Sequence, residues 1–318
     1  MLLPGPDPAR DPPRLRDGCV FVFGGDATDK GGCDLQVLQH LNALKAAHPD
    51  RVHLILGNRD INKMRFLQEL SASRVAQGLE AHPGTYWVNH FRAKNGKPPD
   101  TPAAFGDPSP ESDRATIAKW MLGNTMGCPD TFELRRSELL AAKRRAAGAA
   151  TTTASTTPVT VSDNEVADDL LRSVLPNVGR GILRDSDGGG AEGEEDGEML
   201  QYLRNGRLAV RLGDLLFVHG AVWDGAFLAI PRITDEFAPS SSSSSSSSSA
   251  SLPPPPPSIP TVSTREGGGV LEVDRVAWKD ARGNASLSGP VLDEWIAGVN
   301  AFAAKEVQAF RQVSQRGS

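Results

Sequence analysis

The sequence has 318 residues, 39% of them hydrophobic but only 6% aromatic, with 32 glycines and 24 prolines. That length admits one elaborated domain or two small ones, and the glycine and proline excess puts part of the chain outside any core. A formal charge of −5 provides no electrostatic footprint for nucleic acid or an anionic membrane, so neither is expected as a partner.

Residues 1–16 carry Asp7, Asp11 and several prolines where a signal peptide would have an apolar stretch. This terminus is expected to be disordered and the location cytoplasmic. No apolar run approaches the roughly 20 residues of a membrane span. Cys19, Cys33 and Cys128 have neither a C-x-x-C spacing nor an even count, so neither a zinc ribbon nor a disulfide framework is read.

Residues 19–23 (CVFVF) predict a short buried strand that runs into a glycine-rich turn, GGDATDKGG. A helix follows, with Asp34 as its expected N-cap and Leu35, Leu38, Leu41 and Leu44 along one stripe. His48, Pro49 and Asp50 break it, and VHLIL at 52–56 predicts a second strand ending in the turn GNRD. Asp26 and Asn58 are therefore about one βαβ unit of roughly 30 residues apart, which brings both to one sheet edge.

His82 and His90 fall in a loop-like segment without ligand spacing and are read as structural. Arg135, Arg136, Lys143, Arg144 and Arg145 read as the solvated face of a helix. Low-complexity insertions are expected near 146–163 and 184–198, with a helix candidate at 164–174 between them. Strands at 207–212 and 215–220 flank Gly213 and Asp214 as a hairpin whose second strand ends at His219. The serine and proline tracts make 238–269 a linker. The segment 270–318 is helical, with Trp295, Val299, Phe302, Val307 and Phe310 on a face expected to dock back on the domain.

Three predicted strand ends thus present GGDATDKGG, GNRD and VHGAV. Polar residues at the carboxyl ends of strands face the crevice where ligands bind. An aspartate, an asparagine and a histidine there suit Mn, Fe or Zn. The plainer account makes Asp26 and Asn58 turn residues, His219 a core histidine and Arg59 a salt-bridge partner of Asp60 or a neighbouring acid.

GDATDKG, GNRD and FVHGAV, in that order over about residues 17–225, resemble the calcineurin-like metallophosphoesterases of the serine/threonine-phosphatase type. The segment 120–140 is also similar to a stretch of phosphatase-like proteins. The resemblance implies an α/β fold with a two-sheet β-sandwich flanked by helices, occupying 17–237 and incomplete at both ends. It implies two divalent metal ions, with Asp26 bridging them and Asn58 and His219 ligating the second. Asp29 would orient a catalytic histidine and Asp60 would support the turn, and the substrate would be a phosphorylated protein or small molecule.

The family's blocks D-x-H and G-H-x-H are absent, and the histidine of its GNH block is Arg59, so at most a partial metal site is expected. A guanidinium with a pKa above about 12 cannot protonate a leaving alkoxide, though it can neutralise phosphate. Truncation of an active phosphatase at both ends is the preferred reading of these losses, and a degenerate phosphatase the other. A non-catalytic phosphate- or phosphoprotein-binding module using Arg59 is the alternative function. A nucleotide-binding sheet is a third, although GGDATDKGG has neither P-loop nor dinucleotide-fold spacing.

Overall fold

The computed structural model describes residues 2–5, 11–82, 84, 86–150, 158–177, 195–222, 227–233, 271–275 and 289–316. Through them the chain is mixed α/β, with helices around small sheets. It divides into two compact units, Met1–Gly220 with Ala304–Ser318, and Ala221–Ala303.

In the first unit, the N-terminal residues expected to lack order hold a short antiparallel ladder, β1 (Leu2–Leu3) on β2 (Arg14–Leu15), with Leu15 buried. β3 (Phe21–Phe23) then pairs in parallel with β4 (Val52–Ile55), Phe21 opposite Val52. The crossover is α1 (Asp34–Ala47), whose four stripe leucines are all buried, each contributing about 1.5–3 kcal/mol when fully removed from water. Cys33, not Asp34, is its N-cap. β4 is buried at every position, and β5 (Gly206–Arg207) pairs with its other edge, also in parallel.

Asn58 does not sit in an open turn: GNRD opens a short helix, α2 (Asn58–Asn62). The chain continues through α3 (Arg65–Glu69) and α4 (Ala72–Val75), the latter N-capped by Ser71. The segment read as a loop contains α5 (Tyr86–Lys94), while His82 is buried with its ring nitrogens against the Gly78 and Glu69 carbonyls.

α6 (Asp113–Trp120) is N-capped by Ser112 and widens into one π-helical turn, Met121–Thr125. α7 (Thr131–Ala150) and α8 (Asp163–Ser173) follow, α8 closed by a reciprocal capping box between Ser162 and Glu165. The described part of the expected insertion at 146–163 includes the end of α7. Residues 151–157 and 178–194, the remaining low-complexity stretches, lie outside the described residues. Trp120, Met121, Leu122, Val166 and Leu170 join Met199, Leu200 and Tyr202 of α9 (Glu198–Asn205) in the core.

Arg135 departs from its reading as a solvated cation. It is buried, with Nη1 2.9 Å from Asp169 and Nε 3.7 Å from Glu138. Arg144 and Arg145 do lie exposed on α7. After α9 and β5, the predicted hairpin forms as β6 (Ala209–Leu212) and β7 (Leu215–Val218), antiparallel around Gly213 and Asp214.

In the second unit, β8 (Ala229–Ile233) pairs antiparallel with β9 (Leu271–Arg275). The tract at 238–269, read as a linker, lies outside the described residues, but the strands preceding and following it pair with each other. α10 (Gly289–Arg316) contributes Trp295, whose indole N–H donates to Ala229 O at 3.1 Å and whose ring meets Phe227 edge-on. The end of α10 belongs to the first unit, where Val307 joins the core and Arg311 Nε reaches Asp196 at 3.3 Å.

Candidate functional site

The carboxyl ends of β3 and β4 lie side by side, so Asp26 and the start of α2 emerge next to each other. Gly57 is required between them, since a Cβ there would lie 2.2 Å from Asp26 Oδ1. Asp26 has φ +53 and Asp29 φ +85, a left-handed backbone costly for residues other than glycine.

Buried acids hold this backbone. Asp60, fully buried on α2, accepts from the N–H groups of Asp26 (2.9 Å), Ala27 (2.9 Å) and Gly57 (2.7 Å). Burial raises its carboxyl pKa, and these three bonds oppose the rise. Asp60 thus ties the loop after β3 to the turn after β4, and its carboxylate is taken up by backbone rather than by Arg59.

Arg59 turns to Asp26 instead. Its backbone N–H donates to Asp26 Oδ1 at 3.2 Å and its Nε lies 3.6 Å from Oδ2. Arg59 Nη1 is buried and has no hydrogen-bond partner. Asn58 is exposed in the first turn of α2.

His219, just past β7, meets the same carboxylate: Nε2 is 3.4 Å from Asp26 Oδ1, while Nδ1 is 2.8 Å from Gly24 O. A carbonyl can only accept, so Nδ1 carries a proton and Nε2 is the ring nitrogen that faces Asp26.

Asp29 does not meet a histidine. Its backbone N–H donates to Asp34 Oδ2 at 3.0 Å, Thr131 Oγ1 lies 3.3 Å from both its carbonyl oxygen and Oδ1, and Oδ2 pairs with the buried Lys63 ammonium. Behind this cluster Cys128 is buried with its thiol pKa pushed up to about 11 by burial, a state opposed to thiolate chemistry.

The structure therefore brings Asp26, Arg59, Asp60 and His219 together, with Asn58 beside them, and sets Asp29 behind the loop. Sequence reasoning missed Lys63 and Asp34 as partners of Asp29. Lys63 stands one helical turn after Asp60, a spacing that signals a shared face, but its partner is 34 residues away.

Among the described residues no three His, Cys, Asp or Glu side chains gather as a metal cage. A two-cation centre does not fit this donor set. Asp26 and His219 face each other at a separation close to the edge of a tetrahedron with bonds of about 2.1 Å, so these two donors could share one cation.

Comparison with known proteins gives a partial likeness. The chain is 30% identical over 82 residues to serine/threonine-protein phosphatase 5 of Homo sapiens, and equally to the Rattus norvegicus and Mus musculus proteins. The matched stretch is 24% of this chain and spans 16% of the length of those relatives. No family model and no solved structure matches. The likeness is to a phosphoprotein phosphatase, over one part of the chain.

Proposed function

We propose that the chain carries a metal-dependent phosphoester hydrolase site of the serine/threonine-phosphatase type at the ends of β3, β4 and β7. In this reading the sheets containing β3 and β7 correspond to the two facing sheets of a metallophosphoesterase sandwich. The observation that carries the proposal is the pairing of His219 Nε2 with Asp26 Oδ1, its tautomer set by Gly24 O. A histidine fixed through its other nitrogen to a carbonyl is the usual arrangement of a metal ligand.

Asp26, Asn58 and His219 would hold one divalent cation, Mn, Fe or Zn. Such an ion supplies Lewis acidity toward a phosphoryl oxygen. Arg59 contributes positive charge toward the phosphate. Asp60 keeps Asp26 at the mouth of the site through backbone bonds. The substrate is a phosphorylated protein or small molecule.

The test is hydrolysis of p-nitrophenyl phosphate with Mn2+, alongside Asp26→Asn. Turnover that depends on the cation and is lost in Asp26→Asn is expected. Metal-replete protein with neither turnover nor cation binding overturns the reading. Phosphate binding that ignores a chelator but disappears in Arg59→Ala would instead assign a non-catalytic phosphate-binding module.

A further inference from the structure

We infer that Lys63 is a positioning residue for Asp26, acting through Asp29 from behind the loop. This inference rests on the proposed role of Asp26, but the structural chain behind it is independent of any ligand.

Every polar atom of Asp29 is engaged by a buried group. Its N–H is held by Asp34 of α1, its carbonyl and Oδ1 by Thr131 of α7, and its Oδ2 by Lys63, just past α2. Asp29 and Lys63 are each 3% exposed. Lys63 is fixed in turn, with Nζ 3.7 Å from Met126 Sδ and 5.7 Å above the Phe66 ring. Three residues earlier in the chain, the N–H groups of Asp26 and Ala27 are pinned by Asp60.

The loop between these anchors contains two left-handed non-glycine residues, Asp26 and Asp29. Such a backbone persists only where its surroundings over-determine it. A buried carboxylate without a cation would leave to find water or take up a proton, and the +85° backbone at Asp29 would relax with it. Asp26 would then lose its alignment with His219. Lys63 thus touches neither substrate nor cation, yet it sets where the Asp26 carboxylate stands.

The experiment uses the full chain and two readouts. Hydrogen exchange is followed for backbone amides in wild type, Lys63→Met and Lys63→Arg, and Mn2+ binding is titrated by calorimetry. In Lys63→Met, exchange at residues 26–29 is expected to rise at least 100-fold while β4 and α1 keep their protection. Mn2+ affinity should fall about 10- to 100-fold, the usual effect of removing an outer partner of a metal ligand. Lys63→Arg should restore both.

The double variant Lys63→Met with Asp29→Asn leaves no buried charge unpaired, so it tests the same point if the single variant fails to fold. It should protect residues 26–29 better than Lys63→Met does, because no carboxylate is stranded there. Exchange in Lys63→Met that rises evenly over the whole unit, or a double variant as open at residues 26–29 as Lys63→Met or as unfolded as it, overturns the inference. Exchange needs no cation, so wild-type protein that binds no Mn2+ overturns the proposed function while the exchange pattern still decides on Lys63.

Discussion

Arg59 meets Asp26 twice, through its backbone N–H at 3.2 Å from Oδ1 and through its guanidinium Nε at 3.6 Å from Oδ2. In the proposed reading, a fixed positive charge thus stands where the family has a proton donor for the leaving group, and Asp60 does not replace that donor, its carboxylate being taken up by backbone amides.

A first expectation concerns leaving groups. p-Nitrophenolate departs without protonation, whereas the alkoxide of phosphoserine needs a proton, a contribution of about 10²–10⁴ in rate. Turnover of p-nitrophenyl phosphate should exceed that of a phosphoserine peptide by a factor in that range, and Arg59→His should narrow the gap. Steady-state rates on the two substrates check this, and equal rates in the unaltered protein would sink the idea.

Gly57 is a sensitive probe of the loop junction. An alanine Cβ would fall 2.2 Å from Asp26 Oδ1 and 2.5 Å from Asp26 N, so the loop after β3 must move away. Gly57→Ala should weaken Mn2+ binding at least tenfold, measured by calorimetry, while far-ultraviolet circular dichroism keeps its helical signal. Unchanged affinity would mean that Asp26 is not held against this turn.

The pH dependence of stability should carry the mark of Glu138. Its carboxylate accepts the Leu35 N–H at 3.0 Å at the start of α1 and faces Arg135 and Asp34. Burial pushes its pKa up to about 7, against the attraction of Arg135, and burial also raises that of Asp34. A carboxyl that binds its proton more tightly folded than unfolded stabilises the fold below its unfolded pKa. That contribution is lost as pH rises through the folded value. Glu138 should therefore make stability fall between about pH 4.5 and 7, by at most about 1.4 kcal/mol per pH unit. Urea titrations across this range should show the decline, and Glu138→Gln should flatten it; an identical slope in the variant would refute the assignment.

The end of α10 should be integral to the first unit. Val307 is 5% exposed within the core, and Arg311 reaches Asp196, which Arg204 also pairs. Val307→Ala should cost about 2 kcal/mol in chemical denaturation, mostly lost transfer energy plus a small cavity. A change below about 0.5 kcal/mol would show that this turn of helix is not packed on the core.

Much of the local structure was legible in the chain. The leucine stripe at 35–44, the apolar run at 52–56 and the Gly213–Asp214 hairpin are patterns of period 3.6 or 2 interrupted by turn residues, and each appears as expected. The strand ends likewise bring Asp26 and His219 within reach of each other. Other features were not local. His90 lies on α5, and Arg135 is buried where Asp169 of α8 and Glu138 of its own helix neutralise it.

The sequence by itself determined which residue types stand at the carboxyl ends of β3, β4 and β7, since strand period and turn chemistry act over a few residues. Only the tertiary structure decided their partners. Asp60 serves backbone amides, Arg59 serves Asp26, and Asp29 serves Lys63. The physical reason is that a buried charge is stable only where an opposite charge or aligned donors meet it, and those partners arrive from elements 30 to 100 residues apart in the chain.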